Sequence, residues 1–338
     1  MRVHANVLAT YFPERNGAPA DFYQQLLAQV ELAEQLGLDG FWFTEHHFVQ
    51  YGGTVPNPAN MISAAAARTS RIRLGSCISI LPLHHPLQVA EDYAMADLIS
   101  GGRLEFGIGL GNTERDYVVL QLDRAQSRRR YQEGADLIVK AWANPCFSHD
   151  GEFWQMNDVE LHPRPVQRPH PPIWVAGTSE EGLSWAGRKG YHIMTVAHPH
   201  TPETQRAGVA AWRQASAECG HEGRHCQHHA RIFVGENRQQ ARETAEAAIT
   251  RYDGTSSVAH QRPRQILANQ PGYDWPGMER TGRNIYGTPD ECIAGIRRAQ
   301  ANYDFDVFGA TFNFGGLQHE EIVRSMRLFA KEVLPALS

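Results

Sequence analysis

The chain has 338 residues, of which 42% are hydrophobic and 20% are charged. This composition is typical of a folded globular protein and argues against a disordered, coiled-coil or collagen-like chain. The 32 Lys and Arg residues against 37 Asp and Glu residues give a formal net charge of -5. Neither a nucleic acid nor a membrane surface is therefore predicted as a partner, because both need clustered positive charge.

The five cysteines are odd in number and form no CxxC pair. They predict neither a disulfide framework nor a zinc ribbon, and they fit a reducing compartment. The first residues lack a basic segment followed by a long apolar one, and no apolar run approaches about 18 residues. We therefore expect a cytoplasmic protein without an export signal or a transmembrane helix.

Short apolar runs alternate along the chain with longer stretches of helical periodicity. The first strand is predicted at residues 3–9, and a helix follows until Gly37, a residue typical of the position after a helix end. Further strands are predicted at residues 40–44, 72–78, 104–108, 173–176, 191–195, 231–234 and 307–312. Further helices are predicted at residues 57–69, 86–99, 127–142, 179–188, 202–218, 238–252, 289–301 and 317–333. This alternation favours a single (β/α)8 TIM barrel domain over residues 1–338.

Two stretches are longer than the connections of such a barrel and are predicted as insertions. Residues 146–172 contain Phe153, Trp154 and several prolines, which predict a small hairpin followed by an extended crossing. Residues 253–283 are rich in Gly, Pro, Arg and Gln, too polar for a core segment. A long structureless stretch inside a compact domain is usually functional, so we expect a lid loop there.

Active-site groups of this fold come from the C-terminal ends of its strands. Glu45, His46 and His47 follow the second strand, and alternation points Glu45 and His47 one way and His46 the other. Packing and solvent exposure explain such histidines as readily as catalysis does, but the strand-end position favours catalysis. His84 and His85 follow the third strand. Because adjacent histidines diverge and no HxH pattern occurs, no metal is predicted, and a metal-dependent hydrolase is the weaker alternative.

Glycines and hydroxyl residues follow the next two strands. Gly107, Gly109 and Gly111 either make room inside the barrel or let a planar ligand approach the backbone. Thr178 and Ser179 open a helix, where they serve either as a cap alone or as an anion site for a phosphate. Arg128, at the start of the helix at 127–142, can add a bidentate phosphate contact. The pattern indicates a planar cofactor that bears a phosphate.

Several segments resemble the bacterial luciferase-like flavin monooxygenase family, whose members use reduced FMN in a (β/α)8 barrel. The resemblance covers nearly the whole chain, with its segments in family order. They are GFWFTEHHF at 40–48, residues 71–86, DLISGGRLEFGIG at 97–109, PIWVAGTS at 172–179, GTPDEC at 287–292, FNFGG at 312–316 and SMRLFAKEVLP at 325–335.

The resemblance implies roles for individual residues. His46 corresponds to the catalytic histidine of the luciferase α subunit, beside the flavin ring, and Glu45 is its neighbour in the same motif. The Cys77–Ile78 bond falls where relatives have a cis peptide against the flavin. The other residues implied in cofactor binding are Glu91, Gly109, Arg128, Ala176, Gly177, Thr178 and Ser179, with Arg128, Thr178 and Ser179 at the phosphate.

The chain departs from luciferase α at three positions. Gly109 stands where that subunit has a reactive-site cysteine, Leu110 where it has a phosphate-binding arginine, and Gly182 where it has a phosphate-binding threonine. These losses imply modest cofactor affinity and argue against light emission from an aldehyde. They do not argue against oxygenation.

The function implied is that of a two-component FMN-dependent monooxygenase. Reduced FMN from a separate flavin reductase would react with O2 to give a C4a-(hydro)peroxide, which His46 stabilises or protonates under the lid. The substrate is expected to be an aldehyde, ketone, aromatic or polyketide-like molecule, in a cavity partly lined by Phe48, Tyr51 and Tyr117. A homodimer through the second and third barrel helices is also expected.

Two alternatives keep the same barrel. A deazaflavin-dependent dehydrogenase or reductase would transfer a hydride and need no O2. A non-catalytic flavin-binding subunit is the other, and the Glu45-His46-His47 motif and the full-length lid segment argue against it.

Overall fold

The computed structural model describes residues 1–49, 54–196, 201–259 and 274–337, without the side chains of 256–259. The strands of this part of the chain are β1 (Arg2–Val7), β2 (Gly40–Phe43), β3 (Arg73–Ser76), β4 (Ser79–Ile80), β5 (Leu104–Gly109), β6 (Phe147–Asp150), β7 (Gln155–Val159), β8 (Ile173–Ala176), β9 (His192–Val196), β10 (Cys226–Val234), β11 (Asn284–Gly287) and β12 (Val307–Asn313). Its α-helices are α1 (Pro13–Asn16), α2 (Pro19–Gln35), α3 (Pro58–Ala66), α4 (Pro86–Ser100), α5 (Glu114–Val119), α6 (Ser127–Ala143), α7 (Glu180–Arg188), α8 (Pro202–Glu218), α9 (Arg238–Ala259), α10 (Trp275–Thr281), α11 (Pro289–Tyr303) and α12 (His319–Leu328).

Eight parallel strands close into a barrel in the order β1, β2, β3, β5, β8, β9, β10 and β12, with β12 paired to β1. The predicted (β/α)8 barrel is confirmed, and all eight predicted strands are barrel strands. The largest error concerns β10, which begins five residues before the predicted start at residue 231. Its first half carries the polar run Gln227, His228 and His229, which hid the strand from an apolar pattern although all three are buried.

Local signals placed most helix ends correctly. After α2, Gly37 has φ 81°, and the Leu38 N–H donates to the Ala33 carbonyl at 3.0 Å, as in a Schellman cap. Proline is the first residue of α2, α3, α4, α8 and α11, where its fixed φ and missing N–H cost nothing. None of the helices in the described ranges is long and apolar enough to cross a membrane.

The first insertion contains the predicted hairpin, formed by the antiparallel strands β6 and β7. The prediction of a structureless loop at 253–283 is wrong at both ends. Helix α9 continues to Ala259, seven residues beyond its predicted end at 252. Helix α10 begins after Asp274, whose side chain accepts from the Gly277 N–H at 2.8 Å. The centre of the expected lid, 260–273, lies outside the described residues.

Large side chains fill the barrel interior against glycines of neighbouring strands. Trp42 lies over Gly75, where an added Cβ would overlap its ring. His229 lies over Gly309 in the same way. Trp42, Trp174, Met194 and Val307 form the inner apolar cluster. This filled interior leaves the C-terminal ends of the strands as the place where a ligand can bind.

Candidate active site

Glu45, two residues after the end of β2, is the centre of a buried hydrogen-bonded cluster. Its side chain is 1% exposed, and its Oε1 atom lies 2.9 Å from His47 Nε2 and 2.7 Å from His84 Nε2. The Ile80 N–H donates to Oε2 at 3.3 Å. An ionised carboxylate only accepts, so both imidazoles present protonated Nε2 atoms to it. We call Glu45, His47 and His84 the mouth cluster.

The mouth cluster holds opposite charges away from water. Burial by itself raises the pKa of the Glu45 carboxyl, but the hydrogen bonds from His47 and His84 and their charges hold it below its usual value. Burial lowers the pKa of His84, but the bond to Glu45 and its charge outweigh this and hold it above its usual value. The arrangement therefore favours a carboxylate beside a protonated imidazole.

Glu45 and His47 lie on one side, where their side chains are hydrogen-bonded. His46 is half-buried, and its backbone N–H donates to the Val55 carbonyl at 3.4 Å. His85 points away from His84, and its Nδ1 accepts from the Leu87 N–H at 3.3 Å as the cap of α4. In the described part of the chain, the group with converging ligand atoms is the mouth cluster, within 4.8 Å of one another. The four-histidine metal site is therefore not assembled.

Four residues predicted at the cofactor meet at the top of the barrel interior. Cys77, Ile78 and Ala176 pack on the inner apolar cluster, and the Cys77–Ile78 peptide bond is cis. A Cβ on Gly109 would overlap Ile78 and would lie 3.5 Å from the Ala176 Cβ. The missing side chain of Gly109 thus makes room for Ile78. We call Cys77, Ile78 and Ala176 the apolar shelf.

The thiol of the shelf is not a nucleophile at neutral pH. Burial raises the pKa of Cys77 to about 12. Its Sγ atom lies 3.5 Å from His229 Nε2. The thiolate is the reactive form of cysteine, so Cys77 contributes shape and a weak hydrogen bond to the shelf.

The residues predicted at a phosphate also meet. The Ser179 Oγ accepts from the Gly182 N–H at 3.2 Å, so Ser179 caps α7. Arg128, at the start of α6, lies beside this first turn, with its Nη1 atom 3.7 Å from Glu181 Oε2. Gly177, between the shelf and α7, donates its N–H to the Met194 carbonyl at 3.2 Å, and Thr178 is half-buried. We call Arg128, Ser179 and the first turn of α7 the anion corner.

Four predicted residues lie apart from these groups or outside the described ranges. Glu91 is exposed on α4, and within the described ranges it forms no hydrogen bond or ion pair with the shelf or the corner. Tyr117 is buried, and its hydroxyl donates to the Leu110 carbonyl at 2.6 Å. Phe48 is 47% exposed. Tyr51 lies outside the described residues.

Sequence reasoning missed Asp116 on α5. The residue is 2% exposed, and its Oδ1 atom is buried without a hydrogen-bond partner. Burial raises the pKa of the Asp116 carboxyl to about 6, and the charges of His47 and Glu45 act on it with opposite signs. A carboxylate one turn into the helix after a barrel strand was a signal that a strand-end search could have used.

Comparisons with known proteins fit a barrel enzyme with charged groups at its mouth. The family model described as luciferase-like monooxygenase matches residues 1–303. The chain belongs to the luciferase-like monooxygenase family.

Curated relatives carry related names. A 4-hydroxyprotoasukamycin monooxygenase from Streptomyces nodosus subsp. asukaensis is 31% identical, over 92% of this chain and 86% of that protein. The oxygenase component of a flavin-dependent trigonelline monooxygenase from Acinetobacter baylyi is 32% identical over 54% of this chain and 51% of its own. The uncharacterised protein y4wF of Sinorhizobium fredii is 34% identical, over 55% of this chain and 54% of its own. The chain thus spans about half the length of the last two relatives.

Solved structures share the fold. The monooxygenase RslO1 from Streptomyces bottropensis has a TM-score of 0.93 and 28% identity, with full coverage of both chains. Two chains at 18% identity have TM-scores of 0.78. One is the oxygenating constituent of 3,6-diketocamphane monooxygenase from Pseudomonas putida in complex with FMN, and the other is an F420-dependent secondary alcohol dehydrogenase. At this identity they show the fold alone.

Proposed function

We propose that the chain is the oxygenase component of a two-component FMN-dependent monooxygenase. It takes reduced FMN from a separate flavin reductase and uses O2 to oxygenate a small organic substrate. The observation that carries the proposal is the connection made by residues 176–180. Strand β8 ends at Ala176 in the apolar shelf, and α7 begins at Glu180 in the anion corner.

These residues fit FMN at both of its ends. The shelf offers an apolar surface for a planar ring, and the corner lies a few residues along the same chain segment. Arg128 is 41% exposed and its acidic partner Glu181 is 75% exposed, so the guanidinium is accessible to a phosphate. The backbone N–H groups of the first turn of α7 and the helix dipole add to its attraction for an anion.

The residues around the shelf have different roles in this proposal. Reduced FMN, when bound, supplies the electrons that activate O2. We assign His46 as the catalytic group that holds a proton at the reacting oxygen, and Glu45 as its companion in the same motif. Glu45 acts through the mouth cluster, where it fixes His47 and His84 and keeps a proton on His84. The expected lid would exclude water from this site.

Binding of FMN and of riboflavin to the purified chain tests the cofactor. Replacing Arg128 by Ala should weaken FMN binding about fivefold or more and leave riboflavin binding unchanged, because riboflavin lacks the phosphate. The matched control is Arg129→Ala, since Arg129 is a neighbouring, more exposed arginine that pairs with Glu152. Binding of F420 in place of FMN would contradict the proposal and favour the deazaflavin alternative.

A second experiment tests oxygen chemistry directly. Reduced FMN bound to the chain is mixed with O2, and the rate of flavin reoxidation is compared between native protein and His46→Ala. We expect the variant to change this rate about tenfold or more, as for loss of a proton-handling group. Equal rates for both proteins would remove His46 from the catalytic role.

We also propose a homodimer and a cytoplasmic location. On α4, Met95, Leu98 and Ile99 are exposed large apolar side chains, which supports a contact through the third barrel helix. The five cysteines are unpaired, as in a reducing compartment.

A further inference from the structure

Asp116 stands out among the buried carboxylates of the described residues. Glu45 is held by the mouth cluster, Asp97 accepts from the backbone of Val166 and Gln167, and Glu105 is bonded to Arg73 and to the Trp174 indole. Asp116 has a buried Oδ1 atom without any partner. A buried acceptor left unpaired costs folding free energy, so its persistence needs an explanation outside the fold.

The backbone holds Asp116 in place. Its N–H donates to the Thr113 carbonyl at 3.3 Å, and its carbonyl accepts from the Leu120 N–H at 3.0 Å. The adjacent Tyr117 ties α5 to the end of β5 through the bond to Leu110. The guanidinium of Arg124 lies 4.9 Å from the Tyr117 ring centre. These bonds fix the backbone of Asp116, whose residue is 2% exposed.

Asp116 lies at the mouth of the barrel, because α5 follows the C-terminal end of β5. The charged groups that act on it are His47, Glu45, Arg115 and Arg124. Three of these four can carry positive charge, so Asp116 does not lack a cation. What its Oδ1 atom lacks is a hydrogen-bond donor, which a neutral hydroxyl supplies.

An exposed aromatic side chain lies beside the mouth cluster. Phe48 is 47% exposed, and its ring centre lies 5.6 Å from that of His47, whose charge acts on Asp116. A ligand that suits this ring has an apolar, planar body, and a ligand that suits Asp116 carries a hydroxyl. These requirements together describe a hydroxylated aromatic molecule.

We propose that Asp116 determines substrate specificity by accepting a hydrogen bond from a hydroxyl group of an aromatic substrate. This inference rests on the proposed function, because it names the substrate class of the same site. It adds no covalent step. A site that holds an unpaired acceptor rejects an analogue without the donor, since the acceptor then stays buried and unpaired.

The test compares two probes that differ in one donor, 2-naphthol and 2-methoxynaphthalene, by fluorescence titration of the full chain at neutral pH. Native protein should bind 2-naphthol at least about tenfold more tightly than the ether, as for a hydrogen bond to a charged group. Asp116→Leu, similar in size but without an acceptor, should abolish this preference. Asp123→Asn should retain it, because Asp123 only caps Ala125 in the following turn.

The pH profile separates recognition from a structural role. The preference of native protein should decline as the pH falls below about 6, where Asp116 takes up a proton. Asp116→Leu should show no such decline. Equal affinity for both probes, no measurable binding of either, or a preference that survives in Asp116→Leu would each overturn the proposal.

A metal ion is the other occupant to exclude. Titration with Co2+ should give no visible absorption band. A band that is lost in Asp116→Leu or His84→Gln would show a cation site and overturn the hydroxyl assignment. Neither assay contains reduced flavin, so neither depends on the oxygenation reaction. Their failure would therefore leave the monooxygenase proposal standing, and failure of FMN binding would leave these results intact.

Discussion

Replacing His84 by Gln should remove a pH-dependent part of the stability of the fold. Gln can still donate a hydrogen bond to Glu45, so the substitution removes the charge of the imidazole and little else. The pKa of His84 is raised in the folded protein because Glu45 outweighs the effect of burial. The stability that this group contributes is therefore fully present below about pH 6.5, the unfolded value, and is lost as the pH rises through the higher folded value.

The size of the effect follows from the geometry of the pair. A hydrogen bond between charged groups contributes about 1.5–3 kcal/mol. The His84 side chain is 30% exposed and Glu45 is buried, so loss of hydration offsets part of this gain. We expect a net contribution of about 1–2 kcal/mol at pH 6, which is lost as the pH rises through the folded pKa of His84.

Urea denaturation followed by tryptophan fluorescence at several pH values measures this contribution. The free-energy difference between native protein and His84→Gln should shrink as the pH rises. The control is His85→Asn, which keeps a capping side chain on α4 at an exposed neighbouring histidine. If His84→Gln keeps the native pH dependence, or if His85→Asn removes it, the charge pair in the mouth cluster does not act as argued.

Three further results are expected. Asp116→Asn should stabilise the fold above about pH 6 by about 1 kcal/mol, because a raised carboxyl pKa makes native stability fall as the pH rises from about 4 to 6. The charges of His47, Arg115 and Arg124 oppose the effect of burial and limit this gain, which denaturation at pH 4 and pH 7 measures. Gly309→Ala should lower the free energy of unfolding by about 1–3 kcal/mol, because its Cβ would lie 2.5 Å from His229 Nδ1. Gly254→Ala, in α9 with open space around it, should raise the free energy of unfolding by about 0.5–1 kcal/mol in the same assay. Leu98→Asp should give a monomer in sedimentation, and Val166→Asp, at another exposed apolar position, should leave a dimer.

The sequence was sufficient for the barrel because each strand carries its own signal. Apolar runs such as Ile173–Ala176 end at a turn or a helix cap, and helices begin at prolines. The start of β10 was missed because the interior of this barrel accepts polar side chains when they bond to one another. The Gln227 amide lies between His4 and His229, at 2.9 and 3.1 Å, which no local pattern reveals.

The site was predictable only in its local parts. The strand-end rule found Glu45 and the cap rule found Ser179, since both depend on near neighbours in the chain. The partner of Glu45 is His84, 39 residues away, and their contact depends on how two loops pack. Asp116 belongs to no sequence motif. It is recognised by its buried Oδ1 atom without a hydrogen-bond partner, which only the folded structure reveals.

The histidines of the barrel interior beside the shelf carry no charge at neutral pH. Trp42 Nε1 donates to His4 Nδ1 at 2.9 Å, and Gln227 Oε1 lies 2.9 Å from the same nitrogen. Burial lowers the pKa of His4 to about 3 and that of His229 to about 4. Both imidazoles are therefore neutral at neutral pH. A ring bound on the shelf would have a neutral layer beneath it, and the titrating groups that act on it would be those of the mouth cluster and Asp116. Substitutions of His4 or His229 should then change stability while leaving the pH dependence of ligand binding above about pH 5 unaltered.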